Sequence, residues 1–433
     1  MNKIPVFLFV LLLNLPLGSQ SRYSNIMVSS ESEPSEVTIA INPLDPSNIV
    51  AASNIDNYYY SFDGGLSWSS RKAVSKYGVW GDPCITTDSR GFFYYFHLSN
   101  SSESSGAWLD RMVCQKSTDG GISWSEGTFT GVNPPHLQDK EWAAIDMTYS
   151  PYHNNIYLAW TQCGQNRYNE EGASINPLDS ASNIIFSFST DGGDTWSDRK
   201  RINEVSGYEC SYAESTVLGA IPCVGITGEV YVAWSSPNGI ILDKSTDGGV
   251  NWLEKDIKIT DQPGGFRYEV PGIYRCFGFP SMACDYSEST FKGRLYISWS
   301  DQRSGKDNTD VWISSSDNGG ITWSTPEKVN DDYQSKHQFF NWMTIDQSSG
   351  NIYVVFYDRR NHDDASTDVY LARSIDGGKS FSNERISESP FMPDSQTFMG
   401  DYTNISAING VIRPVWTRLD TNKLSVWTAI INE

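Results

Sequence analysis

The chain reads as all-β: a β-propeller of four-stranded blades, seven blades preferred and six the alternative, with the ring closed by an N-terminal strand joining the C-terminal blade. Three observations predict this. First, an octapeptide recurs: SFDGGLSW at 61–68 returns as STDGGISW from Ser117, STDGGDTW from Ser189, STDGGVNW from Ser245 and SIDGGKSF from Ser374, and a sixth copy, SDNGGITW from Ser316, carries Asn318 where the others have aspartate. Second, the third residues of the copies (Asp63, Asp119, Asp191, Asp247, Asn318 and Asp376) are 56, 72, 56, 71 and 58 positions apart, a period that accommodates four short strands and their turns. Third, 13% aromatic residues with 15 Trp and 35 Gly, and no heptad-like stretch, suit a turn-rich β protein.

Each residue type in the octapeptide has a local reason. A tight turn between strands needs glycine for positive φ, and Ser and Asp side chains to bond the open amides. The closing Trp can wedge between neighbouring sheets while its indole N–H finds a partner at the rim. These residues explain themselves as turn structure, so the aspartates of the repeat are read as structural rather than catalytic. The pattern Ser-x-Asp-x-Gly-x-x-Trp resembles the Asp box (BNR repeat) of the sialidase-like β-propeller superfamily, and the resemblance implies that fold over nearly all of the mature chain.

In chain order, Lys3, an apolar run from Ile4 to Leu17 and the small or polar residues Gly18 to Ser21 read as a secretory signal peptide, residues 1–21, followed by a single propeller domain, 22–433. The run is too short to span a membrane, so a secreted protein, extracellular or periplasmic, is expected. The first inner strand is EVTIAIN. WAAIDM, NIYLAWT and NIIFSFS precede the third octapeptide, and SMACDY, RLYISWS and DVWISSS the fifth. Around the sixth, FNWMTID, NIYVVFY, TDVYLARS and SNERISE complete one blade. TNISAI, VIRPVWT and KLSVWTAI then lack a fourth strand, which residues 24–36 can supply. Insertions at Ser99–Asp110, Gly164–Ser182, Thr260–Arg275 and Asp301–Asp310 read as loops.

A net charge of −20 argues against nucleic acid or an anionic membrane as the main partner, and a monomer is expected. Seven cysteines in an oxidising compartment leave at least one unpaired, and Cys163 with Cys210 is the preferred disulfide. No HExxH or clustered His/Cys set suggests a transition metal, no cofactor is expected, and the acidic stretch NHDDASTD at 361–368 reads as a solvated turn.

Chemistry belongs on the face opposite the octapeptides, where chain enters inner strands and leaves second strands. Asp82, Lys140, Glu141, Tyr212, Glu214, Asn341, Asp401 and Tyr402 enter; Asp56, His97, Gln162, Asp301, Arg303, Asp358, Arg359, Arg360 and Arg418 leave, with Trp80, Trp142 and Trp342 nearby. Carboxylates serve as acid and base in glycoside hydrolysis, aromatic faces suit sugar rings, and arginine forks suit anionic sugars. The plainer reading of the charged pairs is salt bridging, Asp301 with Arg303 and Asp358 with Arg359.

The sialidase resemblance implies a retaining exo-glycosidase acting on a glycan terminus, with Tyr402 as nucleophile, Glu214 in AESTVL as its base and, on position, Asp82 as acid. Arg303, Arg359, Arg360, Arg418, Glu141, Trp142 and Asp401 are the expected substrate contacts. The family's three clamp arginines do not map: the first region reads EPSEVTIAIN, the second has Trp234 and Ser235, and the third has Asn341. Two other readings stand beside this one. One is a non-catalytic glycan- or protein-binding propeller, an adhesin or surface module. The other is a propeller polysaccharide lyase using His97 and Arg303.

Overall fold

Seven four-stranded antiparallel sheets stand in a ring in the computed structural model, which describes residues 22–100, 109–164, 181–208, 210 and 215–433. Their inner strands are Thr38–Ile41, Cys84–Thr87, Leu137–Ile145, Leu218–Val224, Ser281–Cys284, Gln338–Asp346 and Asn404–Ile408, which we number as blades 1 to 7. Each inner strand packs on the next, and blade 7 on blade 1, so the ring is closed. In blades 1 to 6 the strands follow chain order from centre to rim. In blade 7 the outer strand is Asn25–Ser29, paired antiparallel with Lys423–Ala429 through Asn25 opposite Ala429 and Met27 opposite Trp427. The leftover strands and the N-terminal stretch therefore make the seventh blade. The expected signal peptide, 1–21, lies outside the described residues, and no described helix is long and apolar enough to cross a membrane.

Alternation explains how these sequences become blades. Second strands such as Ile156–Cys163 and Asn351–Asp358 have a sheet on both sides and are buried almost throughout, which is why they read as continuous apolar and aromatic runs. Trp160, Trp234, Trp299 and Trp416 of these strands are fully enclosed between blades.

The six octapeptides turn from third to fourth strand. In the first, Ser61 Oγ donates to Asp63 Oδ1 at 2.8 Å and accepts the Gly65 amide at 2.9 Å, while Asp63 accepts the Ser67 amide at 2.9 Å and its hydroxyl at 2.6 Å. Gly64 and Gly65 hold φ of 73° and 89°. The indole of Trp68 donates to Gly65 O at 3.0 Å. Asn318 keeps the frame, with its amide nitrogen donating to Thr322 Oγ1 at 2.8 Å.

Blade 7 has no octapeptide. Its place at the seam is taken by Arg413, whose guanidinium donates to Gly64 O of blade 1 at 2.7 Å, to Ile412 O at 2.8 Å and to Ile431 O at 2.7 Å. Cys163 and Cys210 form a disulfide with Cα atoms 5.4 Å apart, and Cys84, Cys114, Cys223, Cys276 and Cys284 are free and buried.

Candidate functional site

The antiparallel path puts the octapeptide turns at one end of the ring and the entries to the inner strands at the other. Neighbouring inner strands are tied level with one another: Thr38 Oγ1 accepts the Ile85 amide, Asn404 Oδ1 the Ile39 amide and Ser281 Oγ the Met343 amide, each at 3.1 Å. Two residues before that level the chain turns left-handed in five blades, with φ of 51° at Glu36, 48° at Asp82, 54° at Lys140, 75° at Gly219 and 52° at Phe340. In blades 3, 4 and 6 the pairing register shifts at this point, a bulge that re-aims the following side chains. A left-handed residue other than glycine costs about 1 kcal/mol or more, and four such residues ring one mouth.

The mouth is built mainly from carboxyl groups. Two glycines allow its close approaches: a Cβ at Gly81 would lie 2.8 Å from Asn54 Oδ1, and one at Gly400 would lie 2.6 Å from the Glu36 amide nitrogen. Asn54 then bridges two blades, donating from Nδ2 to Glu36 Oε2 and accepting the Asp82 amide on Oδ1 at 2.7 Å. The Glu36 carboxyl lies against both Asp82 and Asp401, close enough for each to act on the others. Arg275, arriving on the loop between blades 4 and 5, grips Asp401 with Nε to Oδ1 at 2.9 Å and Nη2 to Oδ2 at 2.5 Å, and stands 3.9 Å from Glu36. Lys140 holds its Nζ 3.8 Å from the centre of the Tyr402 ring and 5.1 Å from that of Trp142. Below, Trp142 and Trp342 meet at 4.4 Å between centroids, with Tyr402 at 5.9 Å and 6.0 Å, forming a floor. The inner strands enclose a cavity of about 300 Å³ lined by this pair and by Thr86, Ala144, Ala283, Thr344 and Ser406.

Burial, then the charges of Asp82 and Asp401, push the Glu36 carboxyl well above the usual range, against the pull of Arg275. Burial does the same to Glu141, whose two carboxyl oxygens are buried without a partner among the described residues, with the charge of Asp82 adding to it. Asp82 and Asp401 are raised less, because Lys140 faces the first and Arg275 the second. Five carboxyl groups, Glu36, Asp82, Asp139, Glu141 and Asp401, therefore gather at this mouth with two cations, Lys140 and Arg275. Burial and the charges of Glu36, Asp82, Glu141 and Asp401 hold the Tyr402 phenol well above its ordinary value, and its hydroxyl has no partner among the described residues. Asp82 is half-buried, whereas Glu36, Asp401 and Tyr402 are buried.

Asp82, Asp401, Tyr402 and Trp142 therefore come together at the mouth, with Glu141 buried behind Asp82. Glu214 and Tyr212 lie outside the described residues. The four arginines are spread over blades 5 to 7, each engaged within the fold. Arg303 makes a fork on Asp301 (3.0 and 2.7 Å) and Arg418 one on Asp420 (2.6 and 2.9 Å). Asp358 pairs not with Arg359 but with Arg360, at 2.7 Å: the residue two positions on can fold back to the carboxylate, whereas Arg359 turns inward to Thr367 Oγ1 and Pro271 O. His97 lies inside the second strand of blade 2, fully buried, with Nδ1 against Leu98 O and its pKa lowered to about 4 by burial. At the opposite end, the aspartates of the octapeptides are occupied in their turns.

Sequence reasoning missed Glu36, Asn54 and Arg275, and gave Lys140 no role. Glu36 occupies the strand-entry position of Asp82 and Lys140, a signal available from stacking the inner strands on one another.

A family model described as the BNR/Asp-box repeat matches residues 59–70. No curated protein sequence matches the chain. Among solved structures, the α-L-arabinofuranosidase Arb93A of Fusarium graminearum, in complex with an iminosugar inhibitor, is similar with a TM-score of 0.52 at 10% identity, over 81% of this chain and 92% of that one. The NanB sialidase of Streptococcus pneumoniae gives 0.49 at 10% identity, over 89% and 83%. The Trypanosoma rangeli sialidase gives 0.47 at 12%, over 84% and 56%. Repeat and architecture are both consistent with the sialidase-like β-propeller superfamily, and at these identities the likeness concerns the fold.

Proposed function

We propose that the chain is an exported glycoside hydrolase that removes a sugar from a glycan terminus with retention of configuration. One observation carries the reading: three carboxyl groups from three blades, Glu36, Asp82 and Asp401, gather beside a tyrosine whose hydroxyl has no partner among the described residues. Asp82 is the least buried of the three and serves as acid and then base. It protonates the leaving oxygen in the first step and takes a proton from water in the second. Glu36, its carboxyl held well above the usual range by burial and by the charges of Asp82 and Asp401, stands beside it. Tyr402 is the nucleophile, with Glu214 as its base, and Lys140 above its ring favours the phenolate that the surrounding acids oppose.

The burial of Tyr402 favours a second reading, a glycan-binding propeller without turnover, in which the floor only receives a sugar ring. The experiment that separates them is product analysis by mass and anomeric NMR on a panel of aryl glycosides. Hydrolysis is expected from the native protein and none from Tyr402→Phe, with the two proteins melting alike. Full activity in Tyr402→Phe removes the mechanism, and glycan binding without product favours the binding module.

A further inference from the structure

We infer that the sugar taken at this mouth is neutral: a terminal pyranose or furanose without carboxylate, sulfate or phosphate. The inference rests on the hydrolase reading above and specifies its substrate class. A protein that receives an anionic sugar needs a cation whose charge is unspent, commonly an arginine fork whose two parallel N–H groups meet the two oxygens of a carboxylate. At this end of the ring the forks of Arg275, Arg303, Arg360 and Arg418 are already held by acids.

Arg275 holds Asp401 through Nε and Nη2, Arg303 holds Asp301 through the same pair, and Arg418 holds Asp420 likewise. Arg360 is shared among Asp358, Asp331 and Asn383. Arg359 has no acid partner among the described residues and its Nη2 is unpaired there, but the guanidinium is buried over the Phe339 ring, bonded to Thr367 and Pro271 and closed off from an incoming sugar. Lys140 is buried among the rings of Tyr402, Trp142 and Phe279.

At Arg275, Arg303 and Arg360 an anionic substrate would have to displace a buried carboxylate, and at Arg418 the half-exposed Asp420. Asp301 and Asp358 are 0% exposed and Asp401 is 4% exposed, so each would be left as a buried charge without its cation, an arrangement more costly than the pair it replaces. The surroundings add to this, since the mouth itself gathers Glu36, Asp82, Asp139, Glu141 and Asp401 against two cations. A neutral sugar meets neither obstacle: the carboxyl groups accept its hydroxyl protons without an ion being exchanged, and Asp82 keeps the proton-transfer role.

The test sets p-nitrophenyl α-L-arabinofuranoside, β-galactoside, β-glucoside and N-acetyl-β-glucosaminide against a 4-methylumbelliferyl sialoside and a p-nitrophenyl glucuronide. At least one neutral glycoside is expected to be cleaved with kcat/KM roughly 100-fold or more above both anionic ones. Cleavage of the sialoside or glucuronide at comparable efficiency overturns the inference and leaves the hydrolase reading intact. If no glycoside is cleaved, the hydrolase reading falls, and calorimetry with arabinose, galactose, sialic acid and glucuronate then decides the ligand class by itself. Neutral sugars should bind more tightly, and equal or reversed affinity, or no binding at all, contradicts the inference. Asp401→Asn, which releases Arg275, should raise the affinity for glucuronate relative to the neutral sugar by about tenfold; an unchanged ratio in a folded variant counts against the argument of filled forks.

Discussion

Arg413 closes the ring, and replacing it by methionine sets two opposing terms against each other. The residue is 3% exposed and has no carboxylate partner among the described residues, and burial draws its pKa down to about 10. Losing the charge therefore relieves a burial cost of about 3 kcal/mol, at 1.36 kcal/mol per unit. Against that, three carbonyl oxygens, Gly64 O, Ile412 O and Ile431 O, lose a charged donor. Hydrogen bonds to charged groups contribute about 1.5–3 kcal/mol each, so the loss is about 6 kcal/mol and the hydrogen bonds win by about 3 kcal/mol. For a domain of this size that corresponds to a fall of about 3–4 °C in Tm by calorimetry. The seam also sets Asp401 of blade 7 beside Glu36 of blade 1, so loosening it should depress turnover as well as stability. A Tm equal to or above that of the native protein would refute the reasoning, because the burial term would then outweigh the latch.

Asp243, fully buried in the third strand of blade 4 with Oδ2 unpartnered among the described residues, is lifted to about 7 by burial. It stays protonated in the fold while the unfolded chain ionises near pH 4, so stability falls as pH rises from about 4 to 7. Asp243→Asn should match the native protein at pH 4 and exceed it at pH 8 by about 2 kcal/mol, after roughly halving the shift for solvent screening; equal urea midpoints at both pH values would refute this. Asn318→Asp should restore the charge-assisted bonds of the other octapeptides and add about 0.5–1 kcal/mol at pH 7. In Asp63, Asp119, Asp191 and Asp376, hydrogen bonds from the Ser or Thr four residues on outweigh a burial penalty and hold the carboxyl below its usual range. The gain should therefore disappear as pH falls through that lowered pKa, and thermal melts at pH 7 and pH 3 check it.

The ring was legible because its signal is local and repeated. Each octapeptide fixes a turn through its own Ser, Asp and Gly, the spacing between copies counts strands, and TNISAI, VIRPVWT and KLSVWTAI could pair only with a strand from elsewhere. The pairing of Cys163 with Cys210 followed from placing both loops on one face. The charged mouth was legible only in part. Asp82, Asp401 and Tyr402 stand where topology puts strand entries, but Glu36 sits in EPSEV, which in sequence is only polar chain before a strand. Arg275 arrives on a long insertion whose path no period describes, yet it pairs with Asp401 across 126 positions of chain. Arg303, Arg360 and Arg418 each pair with an aspartate two residues away, a spacing visible beforehand that proximity alone would have assigned to structure.

The central claim is that the carboxyl groups at the mouth do chemistry on a glycan, and Asp82 tests it most directly. Turnover of a cleaved aryl glycoside, measured across pH for the native protein and Asp82→Asn, should fall by about 10²–10⁴-fold in the variant, with the melting temperature nearly unchanged and the acid/base dependence lost. Undiminished turnover in folded Asp82→Asn, or no released sugar from any glycan with the native protein, would contradict it.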